Sequence, residues 1–262
     1  MKTRYPIVLV HGLGMRDCFF MKAWGRIDRI LRIQGHTVYK SNVDAFATVE
    51  TNAAVLKTEI EAILRETGAE KVNIIAHSKG GLDAKYMIQK LGMAPHVASL
   101  TTLCTPHRGS PIASFILRFP RFAVKYVAFW VNLIYRLLGD RQPDSFTACE
   151  ELRRCEDLET ELVNVADGVL CQSFSAAMEP GRKQSDFVMA IPWMFSRFIE
   201  KGRVSDGLVP RDSAIFGTYR GDCIDGSVSH TEIVDFMVRD KKRDKIFAFY
   251  SALCEELVLA GL

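Results

Sequence analysis

One stretch, residues 72–86, constrains the fold of this chain more than any other. It begins with the apolar run Val-Asn-Ile-Ile-Ala, continues through His-Ser-Lys-Gly-Gly, and passes at once into a segment of helical character. This pattern is typical of a strand, a sharp turn and a helix, with Ser78 at the apex of the turn. Such a turn needs small residues two positions before and after the serine, and Ala76 and Gly80 stand there. Ser78 is therefore the candidate nucleophile, at a helix N-terminus that can stabilise developing negative charge.

A second turn follows the first apolar run of the chain. Residues 5–10 are predicted to form a buried strand, and a His-Gly-Leu-Gly loop comes directly after it. The two glycines allow the backbone to come close to a bound group. The backbone N–H groups of Leu13 and of Lys79, the residue after the serine, are therefore the candidate donors to an oxyanion. His11 is expected to tie this loop to its neighbours and to border the substrate.

The acid and the base are sought after the serine, because chains with this kind of turn place them in that order. His230 lies just before a predicted C-terminal helix, and Asp206 precedes it in the turn Ser-Asp-Gly-Leu-Val-Pro. We predict that Ser78 is the nucleophile, that His230 is the base and then the acid, and that Asp206 orients the imidazole. Asp222 and Asp225, in a glycine-rich loop near His230, are the alternatives to Asp206, although turn formation also explains them.

Four blocks of the sequence resemble those of bacterial triacylglycerol lipases and esterases, and they occur in the same order. The blocks are Tyr-Pro-Ile-Val-Leu-Val-His-Gly, Ala-His-Ser-Lys-Gly-Gly-Leu-Asp, Leu-Cys-Thr-Pro-His-Arg-Gly-Ser and Ser-Asp-Gly-Leu-Val-Pro, within residues 5–110 and 203–236. The resemblance implies an α/β-hydrolase fold, with a mostly parallel central sheet, helices on both faces and a mobile helical lid. It also implies the hydrolysis of carboxylic esters by a triad of Ser78, Asp206 and His230.

Two positions depart from that family. Lys79 stands where the related enzymes usually have Gln or Met. Some of these lipases hold a structural calcium ion through an aspartate two residues after the catalytic histidine, and Glu232 occupies that place here. The sequence assigns no second acid to such a site. Structural calcium therefore stays open, and the predicted chemistry requires no cofactor.

Residues 110–139 carry many large apolar side chains, interrupted by four basic residues. No acidic residue occurs between positions 84 and 139. The longest apolar run is far shorter than the roughly 20 residues that span a bilayer. Such a segment can form a lid that covers the site, a helix pair buried in the core, or a basic amphipathic surface that docks on a membrane.

We expect one α/β-hydrolase domain, residues 1–262, with residues 110–146 as a helical lid inserted within it. A second apolar cluster at residues 187–199 is expected to form another wall of an acyl pocket. His107 follows an apolar run, but no carboxylate precedes it at a strand end, so it is expected to line the site. The residues predicted to contact substrate are His11, His107, Phe122, Phe129 and Trp193.

Composition narrows the class of protein without identifying it. The chain has 262 residues, of which 48% are hydrophobic and 25% charged, so it can bury a sizeable core. A net charge of +3 gives no indication of nucleic-acid binding. The seven cysteines are scattered, which favours a reducing compartment over a disulfide framework. No signal peptide is evident. We therefore expect a cytoplasmic protein, with peripheral attachment to membranes as an option.

These observations favour a carboxylic-ester hydrolase that forms an acyl-enzyme on apolar acyl esters, with small molecules or lipids as substrates. The same triad could transfer an acyl group to an alcohol or thiol, or hydrolyse phospholipids. A non-catalytic protein that docks on membranes through residues 110–139 is a further alternative. The expected strands are 5–10, 37–40, 72–76, 99–104, 169–174 and one near 214–219, and the expected helices lie near 20–34, 51–67, 81–91, 150–164 and 231–258.

Overall fold

A computed structural model describes residues 2–18, 21–153, 166–179, 186–199, 202–236, 238 and 240–262. Within these ranges six strands form one sheet in the order β2-β1-β3-β4-β5-β6, and every neighbouring pair is parallel. The strands are β1 (Ile7–Val10), β2 (Val38–Lys40), β3 (Val72–His77), β4 (Val97–Leu103), β5 (Leu170–Ser175) and β6 (Thr218–Asp222).

Helices cover both faces of this sheet, as parallel strands require. The helices are α1 (Ile27–Ile33), α2 (Val49–Thr67), α3 (Lys79–Lys90), α4 (Pro111–Ile116), α5 (Arg121–Leu137), α6 (Ser145–Glu151), α7 (Phe187–Ile199) and α8 (Asp240–Leu259). Side chains of a strand alternate between its two faces. Ile7 and Leu9 of β1 accordingly join a core cluster with α1 and α8, whereas Val8 and Val10 join a second cluster with α2 and α3. The central strands are thus buried on both sides and position the ends of β1, β3 and β4 at one edge.

The first five strands lie within a few residues of their predicted positions, so these predictions are confirmed. The sixth strand begins later than the predicted range of 214–219. Residues 211–214 form a 3-10 turn, and β6 begins only at Thr218. The predicted helices at 51–67 and 81–91 correspond to α2 and α3. Helix α2 begins at a Thr48 cap, whose side chain accepts from the Thr51 N–H, and it ends at Gly68 in a left-handed conformation.

Three helix predictions need correction or lie partly outside the described residues. The helix expected from residue 20 begins only at Ile27, and residues 19–20 are not among those described. Most of the helix expected at 150–164 falls on residues 154–164, which lie outside the described ranges. The helix expected from 231 is divided, because residues 232–234 form a 3-10 turn that ends at Asp235 with φ of 60°. Helix α8 then begins at Asp240.

The segment after β4 forms helices α4, α5 and α6, and adds no strand to the sheet. Residues 121–137 are described throughout, and among them Ala128 alone is buried. A helix of the core would bury a full apolar stripe, so the core-helix interpretation of this segment is wrong. The C-terminal end of α5 is joined to the loop after β1, because the Tyr135 hydroxyl donates to the Gly14 carbonyl at 2.9 Å. No helix in the described ranges has the length and apolarity needed to cross a membrane.

Candidate active site

Ser78 stands between β3 and α3 in a strained backbone conformation, with φ of 54° and ψ of −133°. A non-glycine residue adopts a positive φ only where its surroundings enforce it. Here the Ser78 N–H donates to the Leu103 carbonyl at 2.9 Å, which ties the turn to the end of β4. The sharp turn predicted from the sequence is therefore present, and it directs the hydroxyl to the edge where the parallel strands end.

Two glycines allow the turn to pack against the loop after β1. A Cβ atom at Gly12 would lie 2.5 Å from the Ser78 Cβ and 3.0 Å from its Oγ. A Cβ atom at Gly80 would lie 2.5 Å from the His11 carbonyl oxygen. Real side chains do not approach so closely, so both positions require glycine. The glycine that the sequence motif needs two positions after the serine is thus explained by contact between the two turns.

Three side chains that lie far apart in sequence form a continuous hydrogen-bonded chain. His230 Nε2 is 2.9 Å from Ser78 Oγ, and His230 Nδ1 is 2.7 Å from Asp206 Oδ2. A neutral imidazole that donates from Nδ1 to the carboxylate leaves Nε2 free to accept the serine proton. All three side chains are buried, so bulk water does not compete for these contacts. The arrangement can abstract a proton from Ser78 and hold the resulting positive charge.

Asp206 is held so that one carboxylate oxygen faces His230. Its Oδ1 accepts from the N–H groups of Leu208 at 2.9 Å and Val209 at 2.8 Å. The His230 N–H in turn donates to the Asp206 carbonyl at 2.9 Å. The alternatives lie elsewhere: Asp222 pairs with the Arg211 guanidinium, and the side chain of Asp225 is exposed. Of the three candidate acids, Asp206 is the one that the fold brings to the histidine.

His77, directly before the serine, holds the backbone of the histidine loop. Its Nε2–H donates to the His230 carbonyl at 2.9 Å. Burial lowers the pKa of His77 well below its ordinary value, and the neighbouring His230 lowers it further. The ring therefore stays neutral and keeps this donor. His77 thus ties the turn that carries Ser78 to the loop that carries His230.

The predicted oxyanion donors lie on the two turns that meet at Ser78. Lys79 is the first residue of α3, so its N–H belongs to the first turn and has no carbonyl four residues earlier within the helix. Leu13 follows Gly12, the residue in contact with the serine. The N–H of the next residue, Gly14, is engaged with the Ala45 carbonyl at 2.9 Å. This placement is compatible with the predicted donor roles, which stay predictions.

The Lys79 side chain takes no part in this edge of the site. It is buried, and its Nζ lies 2.6 Å from Asp83 Oδ1. Asn52 of α2 donates to the other oxygen of Asp83 at 3.0 Å. Burial raises the pKa of Asp83 to about 6, although the Lys79 ammonium opposes that shift. The residue that departs from the lipase pattern thus forms a buried ion pair within α3, and Asn52 joins that pair to α2.

An apolar cavity of about 410 Å³ opens beside the loop after β1. Leu13 and Phe46 form part of its wall, and α4, α5, α6 and the turn between α4 and α5 supply the rest. Phe46 also packs edge-on against Tyr135 at 4.4 Å between ring centroids. The lining residues are Leu13, Phe46, Ile116, Phe119, Ala123, Val124, Val127, Ala128, Val131, Ser145, Phe146 and Cys149. Such a wall suits an apolar ligand.

Two aromatic residues predicted to contact substrate lie outside this cavity. The side chain of Phe122 is 78% exposed and that of Phe129 is 59% exposed. The reason is the helical period: the face of α5 that carries Val124, Val127 and Val131 turns to the cavity, and the phenylalanines lie on other faces. Sequence reasoning missed Phe46 and Phe146 because neither belongs to a motif.

The other three predicted contact residues have structural partners. His11 Nδ1 lies 3.1 Å from the Gly12 carbonyl oxygen, within the loop after β1. His107 is buried, stacks on Phe216 at 4.5 Å, and has its Nε2 3.2 Å from the Thr102 hydroxyl. Burial lowers the pKa of His107 well below its ordinary value, so it packs as a neutral ring. Trp193 of α7 is half-buried beneath the Arg197 guanidinium at 5.2 Å.

The residues around Glu232 do not fit a calcium ion. Both carboxylate oxygens of Glu232 already contact Lys242 Nζ, at 2.8 and 2.7 Å, and one also accepts from the Ser229 N–H. A divalent cation at these oxygens would meet the ammonium, and like charges in a buried place repel strongly. Within the described residues the one close group of potential metal ligands is Cys104, Asp206 and His230, whose last two members are bonded to each other.

The parallel sheet and the strained Ser78 between strand and helix, with Asp206 and His230 behind it, define the class as an α/β-hydrolase. Solved lipases show the same fold. The Staphylococcus hyicus lipase matches with a TM-score of 0.70 at 15% identity, covering 97% of this chain and 95% of that one. Lipase 1 from Pelosinus fermentans matches with a TM-score of 0.64 at 16% identity, covering 97% and 98%. The predicted fold class is confirmed.

Residues 6–137, about half of the chain, match the family model described as palmitoyl protein thioesterase, and the chain belongs to this family. Over 120 residues it is also 41% identical to a triacylglycerol lipase of Pseudarthrobacter phenanthrenivorans, covering 44% of this chain and 37% of that one. A triacylglycerol lipase of Burkholderia plantarii is 41% identical over 120 residues, covering 44% and 33%. The chain thus spans about a third of the length of these relatives. The resemblance seen in the sequence blocks is confirmed.

Proposed function

We propose that this protein is a carboxylic-ester hydrolase that forms an acyl-enzyme on Ser78 and acts on esters with apolar acyl chains. One observation carries the proposal: the hydrogen-bonded chain from Ser78 Oγ through His230 to Asp206, at 2.9 and 2.7 Å. A serine hydroxyl is a weak nucleophile, and a histidine oriented by a carboxylate is the usual means of activating it.

In the first half of the reaction, Ser78 Oγ attacks the carbonyl carbon of the ester, and His230 Nε2 takes the serine proton. Asp206 stabilises the imidazolium that forms. The backbone N–H groups of Leu13 and Lys79 donate to the oxyanion, where the loss of one donor typically costs about 10²–10³ in rate. His230 then gives its proton to the leaving alcohol oxygen, and the acyl group stays bound to the serine.

In the second half, a water molecule attacks the acyl-enzyme while His230 Nε2 takes one of its protons. Collapse of the second oxyanion returns that proton to Ser78 Oγ and releases the carboxylic acid. The same steps with an alcohol in place of water give acyl transfer. Analysis of products in the presence of a competing alcohol separates the two outcomes, since an acyltransferase forms the new ester in preference to the free acid.

The apolar cavity beside Leu13 supports a hydrocarbon acyl chain as the recognised part of the substrate. Each methylene buried there is worth roughly 0.8 kcal/mol, so selectivity should rise with chain length until the cavity is full. The named relatives are triacylglycerol lipases, which supports glycerol esters as substrates. The family description adds palmitoyl thioesters, which the same nucleophile could attack.

Transient contact with a lipid surface is also part of the proposal. Phe122, Tyr126 and Phe129 expose their rings on the outer faces of α5. Arg118, Arg121 and Lys125 stand among them, and no acid occurs between positions 84 and 139. A basic amphipathic helix of this kind favours the interface of an anionic membrane. The substrate chain would then pass from the lipid directly to the cavity.

The test combines covalent labelling with turnover. We expect a fluorophosphonate probe to label Ser78 of the wild-type protein, with the site assigned by peptide mass spectrometry. p-Nitrophenyl esters of increasing chain length should be hydrolysed. Ser78→Ala should abolish both signals without lowering the melting temperature, whereas Ser251→Ala, on α8, should leave both unchanged. Labelling at another serine, or hydrolysis by Ser78→Ala near the wild-type rate, would contradict the proposed function.

A further inference from the structure

The loop that carries His230 is held from one side by a buried aspartate. Asp186 Oδ2 accepts from the Ser229 hydroxyl at 2.7 Å and from the Thr231 hydroxyl. These two residues flank His230 in the sequence. The Asp186 side chain is thus bonded to the residues on both sides of the histidine. A charge-assisted hydrogen bond of this kind is roughly twice as strong as a neutral one.

The same carboxylate begins α7. Its Oδ1 accepts from the N–H groups of Val188 at 3.0 Å and Met189 at 3.1 Å, which is the geometry of an N-cap. One oxygen of Asp186 therefore fixes the start of the helix, and the other fixes the histidine loop. The position of His230 is tied in this way to α7, the helix that precedes Asp206 in the sequence.

A second carboxylate also holds the loop. Glu232 Oε2 accepts from the Ser229 N–H at 2.9 Å, and the Glu232 N–H donates to the Ser229 hydroxyl at 3.2 Å. Glu232 is fully buried, and Lys242 of α8 supplies the positive charge that its burial requires. Ser229 thus contacts both acids, one through its hydroxyl and one through its backbone.

We propose that Asp186 and the Glu232–Lys242 pair are positioning residues that fix His230 against Ser78 without a bound metal ion. This inference rests on the proposed hydrolase function. A general base must lie within about 2.6–3.2 Å of the proton it takes, and a displacement of 1 Å can cost about 10²-fold in rate. The Lys242 ammonium occupies both oxygens of Glu232, and so it supplies the cation that closes the loop.

The first experiment separates the loop contact from the helix cap. Asp186→Ser keeps a side chain that caps helices well but is too short to reach Ser229 and Thr231. We expect kcat to fall about 10- to 100-fold with KM changed by less than about twofold. Asp186→Asn keeps one oxygen to cap the helix and places an amide group that can donate to the two hydroxyls, so it should lose less than about fivefold. Asp144→Ser is the matched control, because Asp144 caps α6 and has no contact with the histidine loop among its hydrogen bonds.

A double-mutant cycle shows whether the effect passes through the hydroxyl. Thr231→Val keeps the shape of the side chain and removes its hydrogen bond to Asp186, and we expect a severalfold loss of kcat. The double variant Asp186→Ser with Thr231→Val should lose no more than Asp186→Ser alone, because both substitutions break one contact. Additive losses would mean that Asp186 does not act through Thr231.

The third experiment tests whether Lys242, and not a metal ion, neutralises Glu232. Wild-type kcat and melting temperature should be unchanged by EGTA and by added Ca²⁺. Lys242→Met should lower kcat about 10-fold or more, whereas Lys242→Arg, which keeps the charge, should stay within about threefold of wild type. Loss of wild-type activity in EGTA with recovery in Ca²⁺ would overturn the proposal, since a metal ion would then hold the loop.

These outcomes are distinct from a failure of the proposed function. If the wild-type protein neither labels with fluorophosphonate nor hydrolyses esters, the hydrolase assignment itself is wrong. If the wild type is active and Asp186→Ser keeps its kcat per labelled site, the positioning role alone is wrong. Rates are therefore expressed per titrated Ser78, and melting temperatures are measured in parallel. A variant that merely loses stability would recover full kcat per site at a lower temperature.

Discussion

The turn around Ser78 and the helix α5 are built in opposite ways. The turn is buried and strained, hydrogen bonds tie it to the end of β4 and to His230, and Gly12 leaves no room for an added carbon. In α5 Ala128 alone is buried, and large apolar side chains stand in solvent. Chemistry needs fixed distances, whereas the recognition of an acyl chain needs only apolar surface. Substitutions at the turn should therefore change kcat, and substitutions on α5 should change substrate preference.

The largest effect is expected at the triad acid. Asp206→Asn should lower kcat by up to about 10⁴-fold, because the amide favours the wrong tautomer of His230. Pre-steady-state kinetics with a p-nitrophenyl ester should show the loss in acylation. Asp222→Asn is the control and should keep most activity, since Asp222 pairs with Arg211. If Asp222→Asn had the larger effect, the acid would be misassigned.

The next effect tests the close contact between the two turns. Gly12→Ala should lower kcat about 10²–10³-fold, as the new Cβ would meet the Ser78 side chain and displace either the hydroxyl or the Leu13 donor. Gly35→Ala provides a control in open space, where the only cost is its positive φ. Active-site titration of both variants checks the result. A fully active Gly12→Ala protein would show that the two turns are not as rigid as their contacts indicate.

The third effect concerns stability and depends on pH. Lys79→Met should destabilise the protein by about 3–5 kcal/mol at pH 8, because it leaves Asp83 buried without its counter-ion. At pH 5 the loss should be smaller, since Asp83 can then take up a proton. Urea unfolding at the two pH values measures the difference. The double variant Lys79→Met with Asp83→Asn should recover most of the stability at pH 8.

The direction in which the stability of the wild-type protein changes with pH follows from the same pKa of Asp83. Burial raises the pKa of Asp83 from 3.8 to about 6, so between these values the folded state binds more protons than the unfolded state. The contribution of Asp83 to the free energy of unfolding is fully present below pH 3.8 and is lost as the pH rises through about 6. Relative to Asp83→Asn, the wild type should therefore lose stability across this window. If the stability of the wild type relative to Asp83→Asn increased with pH, this assignment of the raised pKa to Asp83 would be contradicted.

The sequence predicted the buried part of the molecule better than the exposed part, for a physical reason. Ser78, Gly80 and Gly12 are constrained by backbone geometry, which only small residues satisfy, so a local motif reveals them. Asp206 and His230 were recognisable by their order along the chain and by their turn residues. The parallel strands were visible as apolar runs, since both of their faces are covered.

The exposed part could not be predicted in the same way. Aromatic residues of α5 were expected at the substrate, but which of them face the cavity depends on the rotation of the helix, and the sequence does not fix it. The Asp186 contacts escaped detection because Asp186 and Thr231 are 45 positions apart and belong to no motif. The role of Lys79 was equally hidden, since its partner Asp83 looks like an ordinary residue of a helix face.

The fourth prediction compares two positions of α5, one in the wall of the cavity and one exposed to solvent. Val131→Asp places a charge in the wall of the cavity and should reduce kcat/KM for long-chain esters about 10-fold more than for acetate esters. Phe129→Asp, on the same helix but with an exposed side chain, is the matched control and should show no such bias. The ratio of octanoate to acetate hydrolysis is the measurement. Equal losses at both chain lengths for Val131→Asp would remove the cavity as the acyl site.

The smallest effect is expected on the outer face of α5. Lys125→Gln should weaken binding to anionic liposomes about fivefold, since each basic residue near such a surface contributes roughly 1 kcal/mol. Binding of the wild type should itself weaken as the salt concentration rises through the range where the Debye length falls below about 10 Å. Hydrolysis of a soluble acetate ester should not change, because Lys125 stands outside the triad and contacts the Phe146 ring at 5.1 Å. Lys71→Gln, between α2 and β3, controls for net charge alone. Salt-independent binding, or an equal effect of Lys71→Gln, would make the basic face of α5 ordinary solvated surface, and the contrast between α5 and the Ser78 turn would then rest on the cavity alone.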